Sequence, residues 1–173
     1  DDITKLHALS EARLSPDGQW IAYAVQSNDV TANTTDSDLW LVAADGRAAP
    51  RRLTNNPKRD RSPDWSPDGQ RLAFISERAG APQLFLLPLG GGEAEQVTTL
   101  KGAVLSAQWS PDGKRISYTL ATPTRAVDLF VVVVESGAVK QLTYSAPGGN
   151  VEQGLVTPEK ISYKSDTLTI NAY

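Results

Sequence analysis

Short runs of hydrophobic residues recur along this chain with an internal alternation. In residues 20–25 the large side chains of Ile21 and Tyr23 alternate with alanines, and in residues 71–75 Phe74 follows Ala73 in the same way. A period of two predicts β-strands, because successive side chains of a strand point to opposite sides. The small positions between the large ones are apolar, so these strands are expected to be covered on both faces.

A four-residue motif repeats together with these runs. Ser-Pro-Asp-Gly stands at 15–18, 66–69 and 110–113, with offsets of 51 and 44 residues. Proline presets φ at the second position of a turn, and glycine at the fourth position tolerates a positive φ. The serine and aspartate side chains can bond nearby backbone amides. The motif therefore predicts a hairpin turn at the same place in three successive units.

Each unit contains two further landmarks after the turn and the strand that follows it. A second apolar run stands at 39–42, 84–87 and 129–132, and a closing Arg-Leu-Thr, Gln-Val-Thr or Gln-Leu-Thr follows it. Four antiparallel strands in 44 to 51 residues are typical of one β-propeller blade. We predict an all-β partial propeller in residues 1–150, with about three four-stranded antiparallel blades at 10–55, 61–100 and 104–145. A β-sandwich is the alternative, but it would not repeat all the landmarks so regularly.

The last stretch, residues 151–173, does not repeat. Its alternation around 164–167 predicts two short strands, and the glycine-rich segment 147–150 ahead of it is linker-like.

Composition narrows the function classes. The chain has 173 residues, 40% hydrophobic, with a formal net charge of −3, which argues against a nucleic-acid binder. The apolar runs are far shorter than the roughly 20 residues of a membrane-spanning helix. Cysteine is absent and His7 is the one histidine, which excludes disulfides and thiolate zinc sites and disfavours a histidine-based zinc or triad site.

Two repeated residue types could suggest chemistry, but each has a structural explanation. Asp17, Asp68 and Asp112 each stand third in a turn that favours aspartate, and they lie more than 40 residues apart, so we predict no metal site. Trp65 and Trp109 end strands that are expected to be near the centre of the ring, where core packing is favoured over substrate stacking. No cofactor is predicted.

The motifs together carry a resemblance to a known family. The segments 14–18 with 21–23, 38–42, 65–69 with 72–76, and the tail 157–165 resemble the N-terminal propeller of prolyl oligopeptidase family serine peptidases, in the acylaminoacyl-peptidase and dipeptidyl-peptidase branch. The tail is similar to the link into the α/β-hydrolase domain of that family. The resemblance implies a parent enzyme that cleaves short peptides, with a propeller that restricts access and helps bind the substrate N-terminus.

The resemblance also implies partners and a candidate binding pair. The partners would be short peptides and a C-terminal α/β-hydrolase domain that this chain lacks. Glu77 and Arg78 follow the second strand of the second blade, and in such enzymes propeller side chains of both signs can hold a substrate terminus. We therefore predict them as substrate-binding candidates, with a solvated loop as the alternative.

Two departures from the family limit this interpretation. Family members close seven or eight blades, whereas three are legible here, and the G-x-S-x-G elbow of the catalytic serine is missing. The chain itself therefore carries no predicted catalytic residue. The alternative function is a non-catalytic TolB-like propeller that binds a partner protein. The sequence does not identify the compartment, and the start at Asp1 mildly favours a periplasmic or secreted location over the cytoplasm.

An open arc of three blades predicts association. The outer faces of the first and third blades would be bare, and we expect the latter to present Ile116, Tyr118 and Phe130. Exposed apolar patches of that size are rare in monomers, so we expect residues 1–173 alone to aggregate or to associate, for example as a homo-oligomer, unless further blades or a partner chain cover those faces.

Overall fold

The computed structural model describes residues 7–29, 33–123, 125–145, 161–165 and 168–172, and all the regular structure in them is β-strand. Three antiparallel four-stranded sheets follow one another, each paired in chain order, and a two-stranded sheet comes last. The strands of the first two sheets are β1 (Ala8–Leu14), β2 (Trp20–Asp29), β3 (Thr34–Ala43), β4 (Arg51–Arg52), β5 (Asp60–Trp65), β6 (Arg71–Ser76), β7 (Gln83–Pro88) and β8 (Glu95–Gln96). The remaining strands are β9 (Ala103–Trp109), β10 (Arg115–Thr122), β11 (Arg125–Val133), β12 (Val139–Gln141), β13 (Ile161–Ser165) and β14 (Leu168–Ala172).

This architecture confirms the predicted fold class, a partial β-propeller with three legible blades. The three sheets are called the first, second and third blade below. The last pair, β13 and β14, falls in the segment 151–173. Residues 151–160, 166, 167 and 173 lie outside the described residues, so the division at residue 150 and the interpretation of the tail as a link stay predictions.

The Ser-Pro-Asp-Gly turn has the same hydrogen bonds in all three blades. In the second blade the Ser66 hydroxyl donates to Asp68, whose carboxylate accepts the Gln70 amide at 3.0 Å. The Ser66 oxygen accepts the Arg71 amide at 2.9 Å, which closes the hairpin between β5 and β6. The final glycines have φ of +72, +69 and +67°, as the motif requires. The serine hydroxyl is the main reason why the pKa of each turn aspartate is lowered, to about 2 for Asp112.

Replacing this serine should lower the free energy of unfolding more where the turn is buried. Ser66 is fully buried, whereas the side-chain bonds of Ser110 are exposed, although both make the same contacts with the turn. We expect Ser66→Ala to lower the free energy of unfolding by about 2 kcal/mol, because it leaves a buried amide without its acceptor. Ser110→Ala, the matched control, should cost less than about 1 kcal/mol because water can replace the bond. Urea unfolding measures both, and equal losses would contradict the role of burial.

The blades pack with a large face of one against a small face of the other. We call the face with the large side chains of the second strand the back face, and the face with the small ones the front face. Between the first and second blades, Ala24 and Leu39 of the front face contact Phe74 and Phe85 of the back face. The same arrangement recurs between the second and third blades, where Ala73 and its neighbours meet the back face of the third blade. The strand pattern of large and small residues therefore encodes the seams between blades.

The prediction for the outer face of the third blade was wrong. Ile116 and Tyr118 are 0% and 1% exposed, because they belong to the back face and are buried against the second blade. Phe130 stacks on Tyr118 with ring centroids 5.5 Å apart. On the front face, Ser117 and Thr119 take the positions that Ala22 and Ala24 hold in the first blade, so this face is more polar than expected.

The repeated threonine of each closing segment has a role that the sequence reasoning missed. The hydroxyl oxygen of Thr54 accepts the Leu39 amide at 2.9 Å, and Thr98 and Thr143 accept the Leu84 and Leu129 amides at 2.9 and 2.8 Å. In all three blades the threonine hydroxyl also donates to the side chain that precedes the leucine, at 3.5 Å in the first blade. The hydrogen bonds of each threonine thereby connect the segment that follows the short fourth strand to the third strand.

Candidate functional site

A polar groove of about 440 Å³ runs along the first strands of the three blades, which lie side by side. Its lining includes two positions of each first strand, four and two residues before the serine of the turn. These polar residues are Glu11, Arg13, Ser62, Asp64, Ser106 and Gln108. Carboxylate, guanidinium, hydroxyl and amide groups thus face one concave surface. Such a surface is suited to a polar ligand that carries both donors and acceptors.

Backbone bulges shape this wall of the groove. The pairing of β1 with β2 shifts between Ser10 and Arg13, and that of β5 with β6 shifts between Arg61 and Asp64. Glu11 and Ser62 lie in these shifts with φ of +58 and +55°, unusual for residues other than glycine. A bulge redirects a side chain relative to a regular strand. The two strained residues meet across the blade boundary, where their side chains bond each other.

Two carboxylates of the groove connect neighbouring blades. Glu11 accepts the Ser62 amide at 2.5 Å and the Ser62 hydroxyl at 2.9 Å. Asp64 accepts the Trp109 amide at 2.7 Å. A carboxylate offers about four acceptor positions, so one amide does not exhaust Asp64. Burial raises the pKa of Asp64, while the Trp109 amide and the charge of Arg13 oppose that rise.

The raised pKa of Asp64 gives a pH-dependent prediction. An acid whose pKa is higher in the folded state than in the unfolded state lowers stability as the pH rises through that range. Asp64→Asn keeps an acceptor for the Trp109 amide and removes the charge. The variant should therefore be more stable relative to wild type at pH 7 than at pH 4. Urea unfolding at both pH values measures the difference, and a stability difference that does not change with pH would contradict it.

The predicted binding pair, Glu77 and Arg78, follows β6 and is not part of the groove lining. The Arg78 guanidinium donates to Asp60 at 2.7 Å and to Ser76 at 2.8 Å. It also lies 5.0 Å from the ring centre of Phe85. These contacts hold Arg78 within its own blade. The binding role of the pair stays a prediction.

The groove residues were not singled out from the sequence, although a signal for them exists. Polar side chains recur four residues before each turn serine, as Glu11, Ser62 and Ser106. Their chemical types differ, so they do not form a motif. Only the side-by-side arrangement of the first strands brings them to one surface.

Two further features, a metal-binding cluster and a membrane-spanning helix, are not found among the residues that the structure describes. No group of three or more acidic or histidine side chains among them is placed to hold a metal ion. No helix in the described part of the chain is long and apolar enough to span a membrane.

Comparison with known proteins identifies the family of the chain. Residues 3–166 match the family model of the TolB β-propeller domain, PD40. The chain belongs to this family.

Relatives of this TolB-type propeller include both peptidases and TolB proteins. It is 37% identical over 102 residues to the uncharacterized peptidase YuxL of Bacillus subtilis. The aligned region covers 58% of this chain and 15% of that protein. It is 38% identical over 93 residues to a TolB homolog of Chlorobium luteolum, covering 51% of this chain and 20% of the relative. Dipeptidyl-peptidase 5 of Porphyromonas gingivalis is 38% identical over 79 residues, covering 46% of this chain and 11% of the enzyme. The matches thus span a fifth or less of these relatives.

Solved structures show the same fold at low sequence identity. The acylaminoacyl peptidase of Pyrococcus horikoshii superposes with a TM-score of 0.65 at 18% identity, covering 80% of this chain and 25% of that one. A TolB protein of Agrobacterium tumefaciens superposes with a TM-score of 0.60 at 23% identity, covering 74% of this chain and 46% of that one. These likenesses confirm the propeller fold.

Proposed function

We propose that this chain is the propeller portion of a serine peptidase that cleaves short peptides, and that its groove helps bind one end of the substrate. The observation that carries the proposal is the mixed-charge groove in a chain whose relatives include peptidases. Asp64 offers a carboxylate to a peptide amine, and Arg13 offers a guanidinium to a carboxylate or carbonyl oxygen. A propeller beside the active site would admit only short and flexible peptides.

The chemical step in this proposal belongs to a domain outside the chain. A serine hydroxyl would attack the scissile carbonyl, the amine would leave, and water would hydrolyse the acyl-enzyme. The general base and the donors for the oxyanion would come from the same α/β-hydrolase domain. The present chain supplies substrate binding and exclusion of larger proteins. We expect the chain alone to hydrolyse no peptide.

A second candidate function is docking of a partner protein without catalysis. The similarity to TolB proteins supports it as well as the similarity to peptidases supports the first. In that case the groove would bind a loop or strand of the partner. The gene sequence after Tyr173 discriminates between the two, because a G-x-S-x-G motif within a few hundred residues favours the peptidase and a stop codon favours the docking module.

Labelling tests the enzymatic part of the proposal. The full-length gene product should react with a fluorophosphonate probe, and mass spectrometry should place the label on one serine outside residues 1–173. A full-length protein without any labelled serine would overturn the peptidase function.

Peptide titration tests the groove separately. We expect trialanine to shift the NMR signal of the Trp109 amide, which bonds Asp64. Asp64→Asn should weaken binding at least about tenfold, as loss of one charge-assisted contact implies. Asp45→Asn is the matched control because Asp45 lies on an exposed hairpin turn. Glu77→Gln tests the other predicted site, and weaker binding in that variant alone would place the peptide outside the groove.

A further inference from the structure

Two buried hydrogen-bond donors lie on the back face of the third blade, in its seam with the second blade. The Tyr118 hydroxyl and the Trp109 indole nitrogen have no acceptor among the residues that the structure describes. The two side chains are 1% and 7% exposed. A buried donor without an acceptor destabilises the folded state, because it has given up its hydrogen bonds to water. Each of these donors therefore requires an explanation.

At the two equivalent positions, both of them described, the seam between the first and second blades has no unpartnered donor. Trp65 corresponds to Trp109, and its indole nitrogen donates to the Arg13 carbonyl at 2.9 Å. Phe74 stands eight residues after its turn serine, as Tyr118 does, and has no hydroxyl. Phe74 is also fully buried, so a phenyl ring fills this position of a seam without a polar group. Packing alone therefore does not explain the hydroxyl of Tyr118.

Of the two donors, Tyr118 is the one that lines the polar groove. It shares the lining with Asp64 of β5 and Ala107 of β9. Ala107 pairs with Tyr118, so the first strand of the blade places only a methyl group beside the tyrosine. On the other side, the Tyr118 ring stacks on Phe130 of β11. Stacking restricts the ring, and the small alanine leaves room for a ligand next to it.

The charges of the groove favour a neutral acceptor for this hydroxyl. Glu11 and Asp64 place two carboxylates in the lining, and these would repel a further anion beside them. Burial raises the pKa of the Tyr118 hydroxyl, so the group is protonated and able to donate at neutral pH. A backbone carbonyl oxygen of a peptide is an uncharged acceptor. A peptide amine, in contrast, would be attracted to the carboxylates.

We propose that the Tyr118 hydroxyl donates a hydrogen bond to a backbone carbonyl oxygen of a peptide bound in the groove, beside the Asp64 carboxylate that binds the peptide amine. The inference rests on the proposed function, because it assigns a further binding residue to the same groove. The ligand class is a short peptide with a free amino group. The hydroxyl loses no protein acceptor when the peptide binds, so the new hydrogen bond favours the complex.

The stability of the free protein gives the first test. Tyr118→Phe should have a urea unfolding midpoint equal to or above that of wild type, because it removes a buried donor without an acceptor. Tyr23→Phe is the matched control, since Tyr23 holds the equivalent position in the first blade and is not part of the groove lining. A lower midpoint for Tyr118→Phe would show that the hydroxyl has a structural partner and would overturn the proposal.

Peptide titration gives the second test. With trialanine, followed through the NMR signal of the Trp109 amide, Tyr118→Phe should raise the dissociation constant about fivefold, the typical effect of one neutral hydrogen bond. Tyr23→Phe should leave it unchanged. Trialanine amide keeps the backbone carbonyls but lacks the carboxylate, so the same fivefold effect is expected with it. An effect that disappears with the amide would identify the carboxylate as the acceptor and contradict the carbonyl assignment.

The same titrations separate a failure of this inference from a failure of the proposed function. If Asp64→Asn weakens trialanine binding and Tyr118→Phe does not, the groove binds peptides but the role of Tyr118 is wrong. If wild type does not bind trialanine, the peptide-binding function of the groove and this inference both fail. Fluorophosphonate labelling of the full-length protein tests the peptidase activity independently of either result.

Discussion

Replacing Arg78 with alanine is expected to lower the free energy of unfolding by about 3 to 5 kcal/mol, the cost of leaving a buried charge without its partner. Asp60 is fully buried, and its carboxylate accepts from the Arg78 guanidinium at 2.7 Å. The guanidinium also lies against Phe74 and Phe85, so the truncation removes packing as well. Urea unfolding of the purified chain measures the loss.

The charge of Asp60 adds a pH signature to this result. Burial raises the pKa of Asp60, with hydrogen bonds from Ser76 and Thr54 and the charge of Arg78 acting against it. Without Arg78 the pKa should rise further, so the variant should lose less stability at pH 4 than at pH 7. Arg47→Ala is the control, because Arg47 pairs with Asp45 on the exposed surface and should change stability by less than about 0.5 kcal/mol. A mild loss in Arg78→Ala would show that the guanidinium is available for a ligand.

Replacing Phe74 with alanine is expected to cost about 3 to 5 kcal/mol as well, because it opens a cavity in the seam between the first two blades. The Phe74 side chain is fully buried, and its ring centroid lies 5.8 Å from that of Phe85. Ala24 and Leu39 of the first blade belong to the same cluster. Thermal or urea unfolding measures the loss.

The matched control for Phe74 is an exposed aromatic residue. Tyr144 is 75% exposed, so Tyr144→Ala should lie within about 0.5 kcal/mol of wild type. If Phe74→Ala were equally mild, the first blade would contribute little to the stability of the second. The seam would then not be the cooperative contact that its burial indicates.

The fold was predictable because its signals are local. The turn around Asp68 depends on four consecutive residues, and the alternation around Phe74 defines a strand with two apolar faces. Which neighbour each face meets is not local information. The alternation shows that a strand has two apolar faces. It does not show which face contacts the preceding blade and which contacts the following blade. The sequence alone therefore predicts Tyr118 on the open side, although it is buried against the second blade.

The candidate site was less predictable because it depends on long-range contacts. The sequence predicts Arg78 as a charged loop residue, but its guanidinium pairs with Asp60, which lies 18 residues earlier on β5. Glu11 and Ser62 meet across 51 residues of sequence, through bulges that no propensity reveals. The groove appears only when three strands are placed side by side, since each contributes two polar side chains of different chemistry.

The difference between the back and front faces also affects how the number of blades can change during evolution. Every unit has a turn between its first two strands, presents bulky side chains toward its predecessor and offers small ones to its successor. A tandem duplication of a segment such as residues 60–100 would therefore generate a fresh seam whose two sides already fit. The number of blades could therefore change by unequal recombination, and two new complementary surfaces would not have to arise at the same time. In the third blade, Ser117 and Thr119 replace the apolar residues at these positions, so its front face is no longer equivalent to those of the other blades.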